Sequence, residues 1–266
     1  MVHVFGVKKR NGHLKIKYFN TELPLFPRGI PDKILLSISG GLDSASLFFL
    51  ICKHFPEMEI IPYTGKDKHA PFDYECATDV VSWMRQKFPN NNILEHEWFE
   101  FDKTEPEWIK KAEDYWEEAK VPVDGKMIER CSTIGGLIKI IRMEMFVREL
   151  SAKYDNPMIV TGMTGNPPMD EMKKHGFYDV REKRRDHTHT DDRQQEYGQS
   201  YLPFVNVDKR FVASIYLEND IMDLYDLTNS CIGNAEHTNF FTKPCGTCFW
   251  CHEKKWAFNA EHHSNE

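Results

Sequence analysis

Lys33-Ile34-Leu35-Leu36-Ser37-Ile38-Ser39-Gly40-Gly41-Leu42-Asp43-Ser44 decides the architecture of this chain. The apolar run reads as a core strand over 33–39, and helical spacing begins near Ser44. The two glycines therefore sit on a sharp strand-to-helix turn. Such a turn aims several backbone N–H groups at one point, and the helix N-terminus adds partial positive charge there. Gly40 and Gly41 lack a Cβ, which permits positive φ and lets a phosphate approach the backbone. Ser39 and Ser44 add hydroxyl donors. Asp43 suits an anion site only in the company of a cation such as Mg²⁺. The spacing is neither Gly-x-x-x-x-Gly-Lys-Ser/Thr nor Gly-x-Gly-x-x-Gly. The bland alternative is an ordinary strand–helix turn with a serine cap.

The flanking sequence repeats this alternation of strand and helix. A helix is expected at about 44–54, with Ala45, Leu47, Phe48, Leu50 and Ile51 facing inward. Residues 59–64 read as a second strand, 73–88 as a helix and 92–99 as a third strand. A charged helical stretch covers 104–120, and a longer amphipathic helix covers 135–153. A further strand over 157–162 ends in Thr161-Gly162, at the edge where a parallel sheet presents its ligand-facing loops. Strands separated by helical patterns imply βαβ units and an α/β fold on a parallel sheet. Upstream, residues 2–7 and 14–19 flank Lys8-Lys9-Arg10-Asn11-Gly12, a hairpin signal, and Leu23-Pro24-Leu25-Phe26-Pro27 reads as a loop. Residues 169–200 are almost entirely polar and read equally as a mobile lid or a solvated insertion. There is no internal repeat.

With 266 residues, 41% hydrophobic and 13% aromatic, the chain can fill one large domain or a domain with an appendage. A net charge of -7 argues against a protein that grips long nucleic acid nonspecifically. No window reaches the apolar length of a membrane span, and Met1–Lys8 shows no signal-peptide pattern. The expectation is a cytoplasmic enzyme, whose seven cysteines serve as thiols or metal ligands rather than disulfides.

Cys245-Gly246-Thr247-Cys248-Phe249-Trp250-Cys251 holds two Cys-x-x-Cys steps that share Cys248, and Cys231 lies upstream in Asn229-Ser230-Cys231. Four thiolates form a closed tetrahedral set for structural Zn²⁺. An iron–sulfur cluster competes, although a ferredoxin-type run wants a cysteine where Lys255 stands. His237 and His252 are alternatives to Cys231 as fourth ligand. Cys52 and Cys76 read as core thiols, and Cys131 carries no metal spacing.

The hexapeptide Ser39–Ser44 resembles the PP-loop of the ATP pyrophosphatase superfamily, whose members cleave ATP between the α and β phosphates. In the order of its motifs the chain resembles the 7-cyano-7-deazaguanine synthase family. There the PP-loop is followed by a late Pro-Leu-x-x-Leu-Thr-Lys segment, then Ser-Cys, then Cys-Gly-x-Cys-x-x-Cys with a basic residue and Phe after it. Pro203-Phe204-Val205-Asn206-Val207-Asp208-Lys209 matches the first at its Pro and Lys ends, and Ser230-Cys231 matches the second. Cys245–Cys251 matches the third, with Lys254 where the family usually carries Arg, and Phe258 after it. The family's Tyr-Pro-Asp-Cys-Arg segment is missing after Thr161-Gly162, so the nucleotide chemistry carries over better than the substrate.

The resemblance implies a Rossmann-like, adenine nucleotide alpha hydrolase-like domain with a C-terminal zinc-binding subdomain. The expected division is a hairpin extension at 1–30, a nucleotide-binding domain at 31–202 and a zinc subdomain at 203–266. It implies ATP with Mg²⁺ on Ser37, Ser39, Gly40, Gly41, Leu42, Asp43, Ser44, Thr64 and Gly162. Asp43, Ser44 and Lys209 are the implied catalytic residues, and Cys231, Cys245, Cys248 and Cys251 the implied ligands of one Zn²⁺. The implied reaction adenylates a small-molecule carboxylate and condenses it with ammonia, with free ammonia the simplest nitrogen source and a homodimer left open. Two rivals stand beside it: a PP-loop tRNA sulfur-transferase, which wants a basic surface and a redox cysteine, and a noncatalytic zinc-bearing adaptor that keeps a nucleotide pocket.

Overall fold

The computed structural model describes residues 14–27, 29–116, 118, 120–123, 126–129, 133–174, 176–177, 200–231 and 243–259. The chain enters through an antiparallel hairpin, β1 (Leu14–Tyr18) and β2 (Thr21–Leu25). Phe19 and Asn20 between them both take positive φ, 46° and 53°, as a two-residue hairpin turn matched to strand twist requires. The expected loop at 23–27 is thus largely strand. Proline marks loops in most contexts, but a two-stranded ribbon is all edge and tolerates Pro24. The other strand expected in this region, 2–7, lies outside the described residues.

From there the chain alternates as expected: β3 (Lys33–Ser37), α1 (Leu42–His54), β4 (Glu59–Asp67), α2 (Phe72–Lys87), β5 (Glu97–Phe101) and α3 (Pro106–Tyr115). The charged helix, expected over 104–120, ends at Tyr115, and a small hairpin follows, β6 (Lys120–Val123) with β7 (Lys126–Glu129). Then come α4 (Ile134–Lys153), β8 (Met158–Thr161), α5 (Met169–Lys173), β9 (Ser200–Tyr201), α6 (Lys209–Glu218), α7 (Met222–Asp226) and α8 (Phe249–Ala257). The third strand begins five residues later than the expected 92, because Ile93 makes only an isolated bridge to Ile60. Of the polar stretch 169–200, expected as a lid or a solvated insertion, the first turn is helical and the last residue starts β9, and residues 178–199 lie outside the described residues.

Five strands form one parallel sheet in the order β5-β4-β3-β8-β9. The winding starts at β3, proceeds outward to β5, and returns through α4 to the other side of β3. The switch of direction therefore falls between β3 and β8, where an open α/β sheet takes its ligand. Ile34, Leu36, Ile60 and Val160 face a core shared with α1, α2, α6 and the first hairpin. Leu35, Ile61 and Tyr63 point the other way, onto Leu150, Phe146 and Val147 of α4. This two-faced burial is why β3 reads as an unbroken apolar run. Helix α1 is apolar nearly all round because it is covered nearly all round, by the sheet on one side and by α2 and α6 on others. The segment from 203 on feeds the same core through Phe204, Phe211, Ile215 and Tyr216. The architecture is a Rossmann-like α/β fold with a C-terminal four-cysteine cluster. Among the described residues no helix is long and apolar enough to cross a membrane.

Candidate functional site

The turn from β3 into α1 lies at the switch point. Ser39 is exposed at its mouth, whereas Leu42 and Ser44 are buried. The Ser39 hydroxyl accepts from Gly41 N (3.3 Å) and meets Ser44 Oγ at 3.1 Å, while Ser44 Oγ donates to Gly41 O (3.1 Å). The loop is thus braced across itself by its two serines. The N–H groups of the first turn of α1 have no intrahelical carbonyl to bond and suit a phosphate. Gly40 takes φ +72°, and a Cβ there would lie 2.5 Å from the Asp73 carbonyl oxygen and 2.9 Å from Cys76 Cβ. Its glycine is therefore required by α2 packing on the loop as well as by backbone conformation. A Cβ on Gly162 would lie 2.6 Å from the Asp43 carbonyl oxygen, so the chain leaving β8 passes directly over the start of α1.

Asp43 turns inward. Its Oδ2 accepts from Thr164 Oγ1 (2.9 Å) and from Lys209 Nζ (3.2 Å). Oδ1 also stands 3.2 Å from Lys209 Nζ but out of line for a hydrogen bond. Lys209 opens α6 and is 4% exposed, so it is neither a solvated surface lysine nor an open phosphate ligand. Its second partner is Glu253 of α8, fully buried, with Oε2 at 3.3 Å. Buried charges persist only when paired, and Lys209 bridges the carboxylates of Asp43 and Glu253. Asp43 sits in the first turn of α1, where the helix N-terminus favours negative charge. Tyr216, wholly buried, donates to Leu42 O (3.1 Å), and burial first and then Asp43 hold its phenol protonated.

The expected nucleotide residues Ser37 and Thr64 are engaged within the sheet. Ser37 stands in register with Tyr63 of β4, whose phenol burial pushes up to about 12 while the Ser37 and Thr161 hydroxyls draw it back. Thr64 Oγ1 donates to Ile38 O (2.6 Å) and meets His96 Nε2 at 2.8 Å. Burial, then the Arg85 charge, pushes His96 down to about 4, so the ring is neutral and its Nε2–H faces the threonine oxygen. Asp73, at the start of α2, stands 3.9 Å from Lys139 Nζ and accepts from the amide of Asn229. Asn229 is the residue that sequence reasoning missed most. Its backbone N–H donates to Gly40 O (2.8 Å) and its Nδ2 to Asp73 Oδ1 (3.3 Å). Thr164 and Glu253 were missed too, since neither lies in a recognisable motif.

The sulfurs of Cys231, Cys245, Cys248 and Cys251 all lie within 4.8 Å of one another. Cys245 and Cys251 are 3.9 Å apart, and Cys248 and Cys231 4.0 Å. A tetrahedron with Zn–S of about 2.3 Å has edges of about 3.8 Å, so the set fits one ion bound by all four. Thiolates that each ligate a separate iron of a cluster stand farther apart. Cys248 N donates to Cys245 Sγ (3.3 Å) and Cys245 N to Cys231 Sγ (3.2 Å), which stabilises the ionised sulfurs. Burial opposes ionisation of Cys245, but the Thr247 N–H and hydroxyl and the Cys248 N–H outweigh it and bring the thiol down to about 6. His252 packs on Phe177 instead of joining the sulfurs, and His237 and Cys131 lie outside the described residues. Lys254 is pushed down to about 8, chiefly by burial, and donates to Thr228 O (3.0 Å), closing the turn before Asn229. Cys52 and Cys76 are buried free thiols, as expected.

No family model matches the chain, and no curated protein matches it. Among solved structures it is similar to the NMN synthetase from Francisella tularensis, with 14% identity and a TM-score of 0.41 over 88% of this chain and 87% of that one. It is also similar to the U34-tRNA thiolase NcsA from Methanococcus maripaludis with its 4Fe-4S cluster, with 12% identity and a TM-score of 0.40 over 88% of this chain and 73% of that one. Both TM-scores lie below 0.5, so neither match bears on the reading of the site.

Proposed function

We propose that this protein is a PP-loop ATP pyrophosphatase that adenylates a carboxylate and condenses it with ammonia, acting on 7-carboxy-7-deazaguanine or a related acid. The observation that carries the reading is the Ser39-Gly40-Gly41-Leu42-Asp43-Ser44 turn at the sheet's switch point, with the four-cysteine cluster linked to it through Asn229. A carboxylate reacts poorly with amines because oxide is a bad leaving group. Attack of its oxygen on the α-phosphorus of ATP breaks the bond to the β-phosphate and releases pyrophosphate. Ammonia then adds to the acyl carbon, AMP leaves, and a proton is lost to give the amide. In the family that the sequence resembles, the amide oxygen attacks a second ATP, and departure of AMP with loss of protons leaves the nitrile.

Within this reading the first-turn N–H groups of α1, with the Ser39 hydroxyl, hold the departing pyrophosphate. Lys209 and Thr164 keep the Asp43 carboxylate turned away from the anion, so the loop presents donors to it. Mg²⁺, when bound with ATP, supplies further charge neutralisation. The four cysteines hold Zn²⁺ in a closed set with no open position, which is a structural role. The test is pyrophosphate release from ATP in the presence of ammonium and candidate carboxylates. Carboxylate-dependent release from the parent, lost in a Gly41→Asp variant that still folds, is the expected result. Release that ignores the carboxylate would contradict the reading.

A further inference from the structure

Two separate threads join the cysteine cluster to the phosphate loop. In the first, Cys231 N donates to Asn229 Oδ1 (2.9 Å), while Asn229 N donates to Gly40 O (2.8 Å). The same side chain ties Cys231 O to Asp73 Oδ1 through its Nδ2, at 3.3 Å to each. Asp73 is the residue whose carbonyl closes on Gly40, and the Asn229 carbonyl closes on Gly41, 3.2 Å from where a Cβ would stand. In the second thread, α8 carries Cys251 on its first turn and Glu253 one step on, and Glu253 holds Lys209, which holds Asp43. Asn229, Glu253 and Lys209 are all buried. The loop therefore rests on two residues whose own positions are set by the cluster.

We propose that Asn229 and Glu253 are positioning residues that couple closure of the four-cysteine cluster to the shape of the phosphate loop. The loop takes its anion-binding form only when the cluster is closed around a metal ion. The first thread consists of buried or half-buried hydrogen bonds and the second includes two charge-assisted bonds of Lys209, and both lose their geometry if the sulfurs separate. In metal-free protein four thiols or thiolates crowd into one site without a shared cation, and they part. Asn229 then leaves Gly40, and Glu253 draws Lys209 off Asp43. The consequence is a nucleotide site that is assembled by a metal it does not itself touch. The proposal goes beyond the ligase reading, because loop order is measured with no nucleotide present and survives even if the substrate is something else.

The experiment is hydrogen exchange by mass spectrometry on the full chain, zinc-loaded and after chelation, reading residues 38–46 with β3 and β4 as internal reference. Exchange over the loop is expected to rise about tenfold on metal removal while the strands stay protected. Asn229→Ala and Glu253→Gln are expected to loosen the same residues with about one metal per chain still bound, a change confined to the loop that general destabilisation would spread over the sheet. Loop exchange within about twofold of the loaded protein, with protected strands, overturns the proposal. If chelation unfolds the sheet as well, the metal-loaded variants decide: unchanged loop exchange in both overturns it, and faster exchange in either supports it.

Discussion

Lys209→Met is expected to destabilise the protein by about 3–5 kcal/mol, because it removes the buried ammonium that Asp43 and Glu253 share and breaks both ion pairs from one side. Urea unfolding measures this directly, and a loss under about 1 kcal/mol would show that the pair is not held as described. Gly40→Ala and Gly246→Ala form a matched test of another kind. Both glycines take positive φ, +72° and +75°, and an alanine there costs about 1–3 kcal/mol in backbone strain. Only Gly40 also meets backbone from α2, whereas Gly246 has nothing within 4 Å, so Gly40→Ala should unfold at clearly lower urea. His96 sets a pH dependence. The folded ring titrates at about 4 against an ordinary 6.5, so the unfolded chain binds the proton more readily. Its contribution is intact above the ordinary value and is lost as pH falls towards 4, amounting to about 2 kcal/mol by pH 5. His96→Gln should flatten that part of the stability profile, and an unchanged slope between pH 7 and 5 would remove His96 as its source.

The passage of the β8 exit over the first turn of α1 is the contact on which the site's shape turns. Gly162→Ala places a methyl group 2.6 Å from backbone that has nowhere to retreat, so the two connections must separate. The expected cost is about 1–3 kcal/mol with a matching loss of pyrophosphate binding, read by calorimetry against the parent. Parent-like affinity would show that loop and strand exit move independently. How far such elements were legible in the sequence follows from where their stabilisation comes from. β3, the glycine turn and α1 were legible because burial on both faces leaves a continuous apolar run and the turn needs glycine. β2 was hidden by Pro24, whose warning holds for central strands and fails in a two-stranded ribbon. β5 was displaced because Ile93 and Leu94 mimic a strand, whereas the paired stretch is Glu97–Phe101, in which buried Phe99 and Phe101 alternate with exposed Trp98 and Glu100. β9, two residues long, exists only through its pairing with β8 and has no local signal.

At the level of the whole chain, distant segments supply one site: the loop at 39–44, the β8 exit, the start of α6 and the turn before Cys231. Sequence spacing found the loop and the four cysteines, because both chemistries demand fixed local spacing. It did not find Asn229, Thr164 or Glu253, whose roles exist only after folding brings Thr164 and Asn229 onto the loop and Glu253 onto Lys209, which in turn reaches Asp43. Metal analysis should give about one zinc per chain without visible iron–sulfur absorption, and several irons per chain with inorganic sulfide would contradict the closed single-ion site. The central claim is ATP cleavage between the α and β phosphates driven by a carboxylate. It is tested by quantifying AMP, ADP, pyrophosphate and phosphate after incubating the zinc-loaded protein with ATP, Mg²⁺, ammonium and 7-carboxy-7-deazaguanine. The account predicts AMP and pyrophosphate in equal amounts, rising with the carboxylate and without ADP; ADP and phosphate as products, or AMP formation indifferent to any carboxylate offered, would contradict it.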